Sequence, residues 1–235
     1  MEILQAVLLG IIQGISEFLP ISSSGHLRVF QELFGLTDEF GLVFDTWLHV
    51  ATLAAVVVYF RTDLFNMVRS AFSSDPERSG DKRLAWLVVV ATIPTGLIGL
   101  AGGDFFETAD ILYVGIAFLI TATALTLADL LSRRSVHEAS RLGWGRAILV
   151  GVAQGIAVMP GISRAGATMA AGLGLGLDRE QAARFSFLLS GPIILLAGAR
   201  QGVDIILTGE SGPELASILV GSAAAAITGY FAIAG

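Results

Sequence analysis

The stretch Ala6-Val7-Leu8-Leu9-Gly10-Ile11-Ile12-Gln13-Gly14-Ile15 opens an apolar region that is soon cut by Leu19-Pro20-Ile21-Ser22-Ser23-Ser24-Gly25-His26. The same order of events recurs 141 residues later. There Ala147-Ile148-Leu149-Val150-Gly151-Val152-Ala153-Gln154-Gly155-Ile156 runs into Pro160-Gly161-Ile162-Ser163-Arg164-Ala165-Gly166. After a one-residue slip Pro20 matches Pro160 and Ser23 matches Ser163; at the original offset Gly25 matches Gly166 and Phe44 matches Phe185. The chain carries an internal repeat. A membrane crossing takes about 20 apolar residues, and neither half of the regions Ile3 to Phe34 and Ala147 to Leu177 reaches that length comfortably. One broken region alone reads equally well as a Pro-kinked span. Two copies favour half-helices meeting in re-entrant hairpins, which are tolerated where their loop is buried in protein or lines a wet cavity. Gly10 with Gly14 and Gly151 with Gly155 place two glycines on one helical face in each copy, so close helix contact is expected there.

Between and beyond the broken regions lie five apolar spans: Phe40 to Phe60, Leu84 to Leu100, Ile111 to Leu131, Phe185 to Ala199 and Leu215 to Ala234. With 54% hydrophobic and 14% charged residues and a mean hydropathy of +0.76, the chain has too little polar surface for a soluble globule. Soluble enzymes and free nucleic-acid binders are excluded. The absence of cysteine removes thiolate and disulfide chemistry from 235 residues. The expected fold is therefore an all-α integral membrane protein, a single membrane domain over 1–235. It is an inverted-topology repeat with two re-entrant helical hairpins and five or six transmembrane helices, repeat 1 covering about 1–61 and repeat 2 about 142–200. Inversion follows from the three crossings between the hairpins. Arg61 to Arg83 holds five basic residues and Arg133 to Arg146 four, whereas Gly102 to Asp110 has three acids and no base. The Arg-rich segments are thus read as cytoplasmic loops of an inner-membrane, multi-pass protein. On that reading the first hairpin and its site face outside. No cleavable signal peptide is expected, since Glu2 stands where a basic segment would.

An ionisable residue at mid-span costs roughly 2.5 to 3.5 kcal/mol on insertion scales, and here such residues gather at the two breaks. Gln13 and Glu17 share a helical face ahead of Ser22, Ser23, Ser24, Gly25 and His26; the second break supplies Ser163, Arg164, Gly166 and Thr168. Each loop leads into a helix N-terminus, whose open amides and dipole favour an anion. Together with the Arg164 guanidinium they suit a phosphate, and a divalent metal on Glu17 would neutralise further charge. The plain alternative is that the serines cap helices and that Glu17 pairs with Arg164. Asp45 and His49, near the start of the first full span, read as secondary cavity-lining or mutually paired residues.

The run Gln13-Gly14-Ile15-Ser16-Glu17-Phe18-Leu19-Pro20-Ile21-Ser22-Ser23-Ser24-Gly25-His26 and the run Pro160-Gly161-Ile162-Ser163-Arg164-Ala165-Gly166-Ala167-Thr168 closely resemble the two signatures of the undecaprenyl-diphosphatase, or bacitracin-resistance, family. The likeness extends through Phe44 to Arg61 and Arg184 to Pro192. It implies a membrane phosphatase that removes the terminal phosphate of a polyprenyl diphosphate and so recycles the lipid carrier of envelope glycan assembly, with magnesium or calcium as cofactor. It implies Glu17 as a catalytic carboxylate and metal ligand, Ser23 as nucleophile, His26 as acid or base, and Ser163, Arg164 and Thr168 as the phosphate loop. The chain departs from the family pattern at two positions. Gln13 replaces a first glutamate and can ligate only weakly, and Ala165 replaces a serine. The family ordinarily carries a further crossing beyond Gly235. The expected partners are the polyprenyl diphosphate and the bilayer, with a homodimer allowed and no nucleic acid. The rival class is a lipid transporter or flippase, which shares inverted repeats and broken helices.

Overall fold

The computed structural model describes residues 1–36, 38–107, 111–131, 138–208 and 214–235; Arg133, Arg134 and Glu210 lie outside them. Among the described residues every long element is a helix. The first broken region forms α1 (Ile3–Phe18) and α2 (Ser23–Leu33); α3 (Asp38–Tyr59) and α4 (Arg61–Ser70) follow. Next come α5 (Ser79–Glu107) and α6 (Ile111–Leu131), then the second broken region as α7 (Trp144–Ile156) and α8 (Arg164–Gly174). The chain ends with α9 (Arg179–Thr208) and α10 (Leu215–Ala234). Four helices, α5, α6, α9 and α10, are long and apolar enough to cross a membrane alone, and α3 with α4 makes up to five. This is an integral membrane protein.

Local chemistry accounts for the breaks. Leu19, which precedes Pro20, is extended at φ −75° and ψ 136°, as the proline ring requires of its predecessor, and α1 stops there. Ser22 and Ser163 cap the second half-helices, their hydroxyls accepting from the Gly25 and Gly166 amides at 3.4 and 2.9 Å. The half-helices also end alike. Leu36 N–H donates to the Gln31 carbonyl and Gly35 N–H to that of Glu32; Leu177 and Gly176 repeat this on Gly172 and Leu173. The turn needs a left-handed residue, and Gly35 (φ +66°) and Gly176 (φ +104°) supply it, again 141 residues apart.

The repeats interlock by exchange. α1 packs along α10 and α7 along α5, so the first helix of each repeat lies on a long helix outside that repeat. A Cβ on Gly10 would overlap the Gly221 carbonyl, and one on Gly14 would overlap Thr228 and the Ala225 carbonyl. Gly151 abuts the Ala91 carbonyl and Gly155 the Ile98 side chain. In both pairs residue numbers rise together, so α1 runs parallel to α10 and α7 to α5. Between α5 and α10 the chain crosses twice, through α6 and α9, and so reverses its direction three times. The two helices are therefore opposed, and so are α1 and α7. Phe44 and Phe185 each anchor a core, the first among Leu9, Leu27 and Leu48, the second among Leu173, Leu177 and Leu189.

The Arg-rich segments and the start of α9 share one face. Arg83 donates to the Leu142 carbonyl at 3.1 Å, the Ala139 amide donates to Gln181 at 3.2 Å, and Arg184 pairs with Asp63. Two boundaries differ from the sequence reading. Arg61 to Arg83, expected as a loop, begins as helix α4, set at 80° to the span it follows. α5 continues to Glu107 and so takes in residues 102–107 of the expected Gly102 to Asp110 loop.

Candidate active site

Both hairpin tips converge on Glu17, in the last turn of α1. Its side chain is only 3% exposed. Oε2 accepts from Gln13 Nε2 at 3.0 Å and from the Ser23 hydroxyl, and lies 3.5 Å from His49 Nε2; Oε1 is held by Arg164 Nη2. Ser23 and Arg164 are the first residues of α2 and α8, so the two inverted N-termini meet on one carboxylate. The tips touch directly, since a Cβ on Gly25 would lie 3.0 Å from Gly161 Cα and 2.5 Å from the Phe118 ring. α6 supports both. Thr121 Oγ1 accepts from the Ser163 amide at 3.0 Å, and the Phe118 ring tilts against His26 with centroids 5.1 Å apart.

The Gln13 amide and Ser23 hydroxyl are donors, so both oxygens of Glu17 are surrounded by hydrogen-bond donors and positive charge. Leaving such a carboxylate unpaired would cost about 3 to 5 kcal/mol. Arg164 is not exhausted by the contact: its Nη1 is buried without a hydrogen-bond partner, while the side chain keeps 20% of its surface open. The first intrahelical bonds are His26 N to the Ser22 carbonyl and Ala167 N to that of Ser163. The amides of Ser23, Ser24, Arg164 and Ala165 precede them. These amides and the Arg164 guanidinium are the donors at the two tips that could receive an anion. Ser22 holds the first tip at φ +70°, the one described non-glycine residue in the left-handed region, a conformation that costs about 1 to 3 kcal/mol.

The expected residues fall into distinct places. Gln13, Glu17, Ser23 and Arg164 form one hydrogen-bonded cluster, with Ser24 beside the Ser22 hydroxyl at 3.4 Å. Ser22, Ser163, Gly25 and Gly166 are capping partners, so the two glycine amides are already taken. Thr168, expected to bind phosphate, is 2% exposed and turned into the protein. Its hydroxyl lies 2.8 Å from the Arg164 carbonyl and 2.5 Å from Ser186 Oγ, so it steadies the first turn of α8. His26 Nδ1 lies 2.8 Å from the Ser22 carbonyl, which fixes the proton on Nδ1 and leaves Nε2 for another partner. Ser23 directs its proton to Glu17 and not to His26. His49 is closer to the chemistry than a residue near a span start was expected to be: Nδ1 donates to the Asp45 carbonyl at 2.7 Å and Nε2 faces Glu17. The Asp45 side chain instead accepts from Gln31 at 2.7 Å. Sequence reading missed Gln31, Phe118, Thr121 and Ser186. The offset of 141 pairs Ser186 with Asp45, and that was the available signal for it.

No group of three His, Asp or Glu side chains among the described residues could hold a metal by itself. The hard donors available are one carboxylate, already bonded at both oxygens, and Gln13 Oε1, which is buried without a partner. This set suits a magnesium or calcium ion only if substrate and water supply most of the ligands, the usual manner of magnesium at phosphates.

Residues 6–235 match the family described as bacitracin resistance protein BacA. The chain belongs to this family. It is 45% identical to an undecaprenyl-diphosphatase of Rubrobacter xylanophilus over 99% of its length and 88% of the relative's. A second, from Methanosphaera stadtmanae, is 43% identical with the same coverage. Undecaprenyl-diphosphatase 2 of Stutzerimonas stutzeri is 44% identical, also over 99% and 88%. BacA membership accounts for the two signatures lying at the tips of the two hairpins, where they meet on Glu17.

Proposed function

We propose that this protein hydrolyses a polyprenyl diphosphate to the monophosphate carrier and inorganic phosphate. One observation carries the reading: a serine hydroxyl donates to a buried carboxylate whose other oxygen is held by an arginine with one nitrogen still open. Nucleophile, base and anion clamp are thus within a single cluster. The names of the relatives support the substrate class.

In this mechanism Ser23 Oγ attacks the terminal phosphorus while its proton passes to Glu17. The bond from that phosphorus to the bridging oxygen breaks, and the lipid monophosphate leaves with the electron pair. Arg164 Nη1 and the amides at both helix starts meet the charge that spreads over the transferring oxygens, which is where positioned donors act most strongly. Water then attacks the phosphoserine, returning the proton to Ser23 and releasing phosphate. His26, when protonated at Nε2, can donate to the leaving oxygen. A magnesium or calcium ion brought with the diphosphate would be held by Glu17 and Gln13 Oε1 and would neutralise diphosphate charge. By the positive-inside rule we take the Arg-rich face to be cytoplasmic and the membrane to be the inner one, so that the first hairpin would open outward.

The test is phosphate release in detergent from a polyprenyl diphosphate, followed by trapping of labelled phosphate on the protein. Release that vanishes in Ser23→Ala, together with its label, supports the serine route. Lipid translocation in vesicles with no release in detergent under magnesium or calcium would overturn the enzyme reading in favour of a transporter.

A further inference from the structure

Helix α4 has no role in the mechanism, yet its outer face is apolar and exposed. The chain turns by 80° after Phe60, so α4 runs across the end of the span and not along it. Phe65 and Val68 of α4 and Phe72 in the turn just after it follow one another at helical spacing and are 64%, 75% and 86% exposed. Arg61 and Arg69 flank the same stripe. Among the described residues neither pairs with a carboxylate; Arg61 donates to the Val58 carbonyl at 3.1 Å. The inner face is fully committed: Met67 and Ser70 are buried, Leu64 packs on the core, and Asp63 is bonded to Arg184 of α9. Trp86 fixes the far end, donating to the Ala71 carbonyl at 3.0 Å with its ring 6.1 Å from that of Phe72.

We propose that α4 lies in the plane of the bilayer surface, with Phe65, Val68 and Phe72 among the acyl chains and Arg61 and Arg69 on the headgroups of anionic phospholipids. Three features favour lipid as occupant. The stripe continues the lipid-facing surface of α3, where Val57 and Val58 are also exposed. The perpendicular bend at the end of a span sets the helix at interfacial depth. Two arginines without carboxylate partners complement anionic headgroups, and a basic residue near such a surface gains about fivefold in binding, so the pair gains roughly 30-fold.

The absence of native cysteine makes single-cysteine labelling of the full chain direct. Spin labels at Phe65→Cys, Val68→Cys and Phe72→Cys in phosphatidylcholine–phosphatidylglycerol vesicles should be accessible to oxygen and shielded from a water-soluble nickel chelate. Asn66→Cys, off the stripe, should show the reverse. Phosphatidylglycerol should be enriched over phosphatidylcholine on the purified protein, and Arg61→Gln with Arg69→Gln should lower that enrichment by on the order of 10- to 30-fold. Should the double variant fail to fold, either single variant gives the same reading at a few-fold. Nickel accessibility at 65, 68 and 72 equal to that at 66 would overturn the proposal. Enrichment unchanged in the folded variants, or disulfide formation between Val68→Cys chains in place of lipid exposure, would overturn it as well, the latter in favour of a second copy.

Discussion

Replacing Arg164 by lysine separates charge from geometry. The guanidinium spends one nitrogen on Glu17 and keeps another, Nη1, buried and without a partner. A lysine retains the positive charge and can satisfy the carboxylate, but its donors radiate from one point and do not reproduce the two separated guanidinium nitrogens aimed at Glu17 and at a phosphate. Loss of one aimed donor in a water-poor site removes about 3 to 4 kcal/mol of transition-state stabilisation, a rate lower by about 100- to 1,000-fold. Stability should fall far less, by about 1 kcal/mol, since Glu17 remains paired. Arg164→Ala should differ in kind: it strands a buried carboxylate, and about 3 to 5 kcal/mol should disappear from stability itself. Initial rates of phosphate release from a polyprenyl diphosphate in detergent, with thermal melts of the same preparations, distinguish the two. A folded Arg164→Lys protein turning over within about threefold of the parent would refute the clamp.

Glu17→Gln keeps the shape of the side chain but removes the acceptor of the Ser23 proton, so rates should fall by about 100- to 10,000-fold; combined with Arg164→Lys, the loss should be much less than the product of the two single losses. Gly14→Ala forces a Cβ into Thr228 and the Ala225 carbonyl and should destabilise by about 1 to 3 kcal/mol, read as a lower melting temperature. Gly115→Ala in α6 meets nothing within 4 Å and should instead stabilise by about 0.5 to 1 kcal/mol. Ser186→Ala removes the partner of Thr168 and should cost about 1 kcal/mol in the same melts.

The architecture was legible because a repeated break in an apolar run is a coarse and robust signal. α6 and α10 begin and end at the residues where their apolar runs do, and the glycine pairs at 10 and 14 and at 151 and 155 mark real backbone contacts. Charge was a poorer guide to helix ends: α5 and α9 extend past their apolar segments because Ser79 to Arg83 and Arg179 to Arg184 are helical without being apolar. The site was legible as a set of residue types but not as a pattern of bonds. Sequence brings Glu17 and Arg164 together only by inference, and it cannot say that Ser23 chooses Glu17 over His26, nor that Thr168 turns away towards Ser186. Those choices depend on the rotation of each half-helix about its axis, which is set by α6 through Phe118 and Thr121. α4 escaped notice for a related reason: its apolar stripe is broken by polar residues every few positions, which reads as a loop until the helical period is imposed.

The Glu17–Arg164 pair spans 147 residues, and that separation is also an interval of time. At ordinary synthesis rates of about 5 to 20 residues per second, roughly 7 to 30 s pass between the emergence of the carboxylate and that of its guanidinium. The support for α1 comes later still, because α10 follows the second hairpin along the chain. The first hairpin is therefore born with its charge uncompensated and its glycine face uncovered. It has to wait, at the mouth of the insertion machinery or near the surface of the bilayer, until the second half arrives to draw it in.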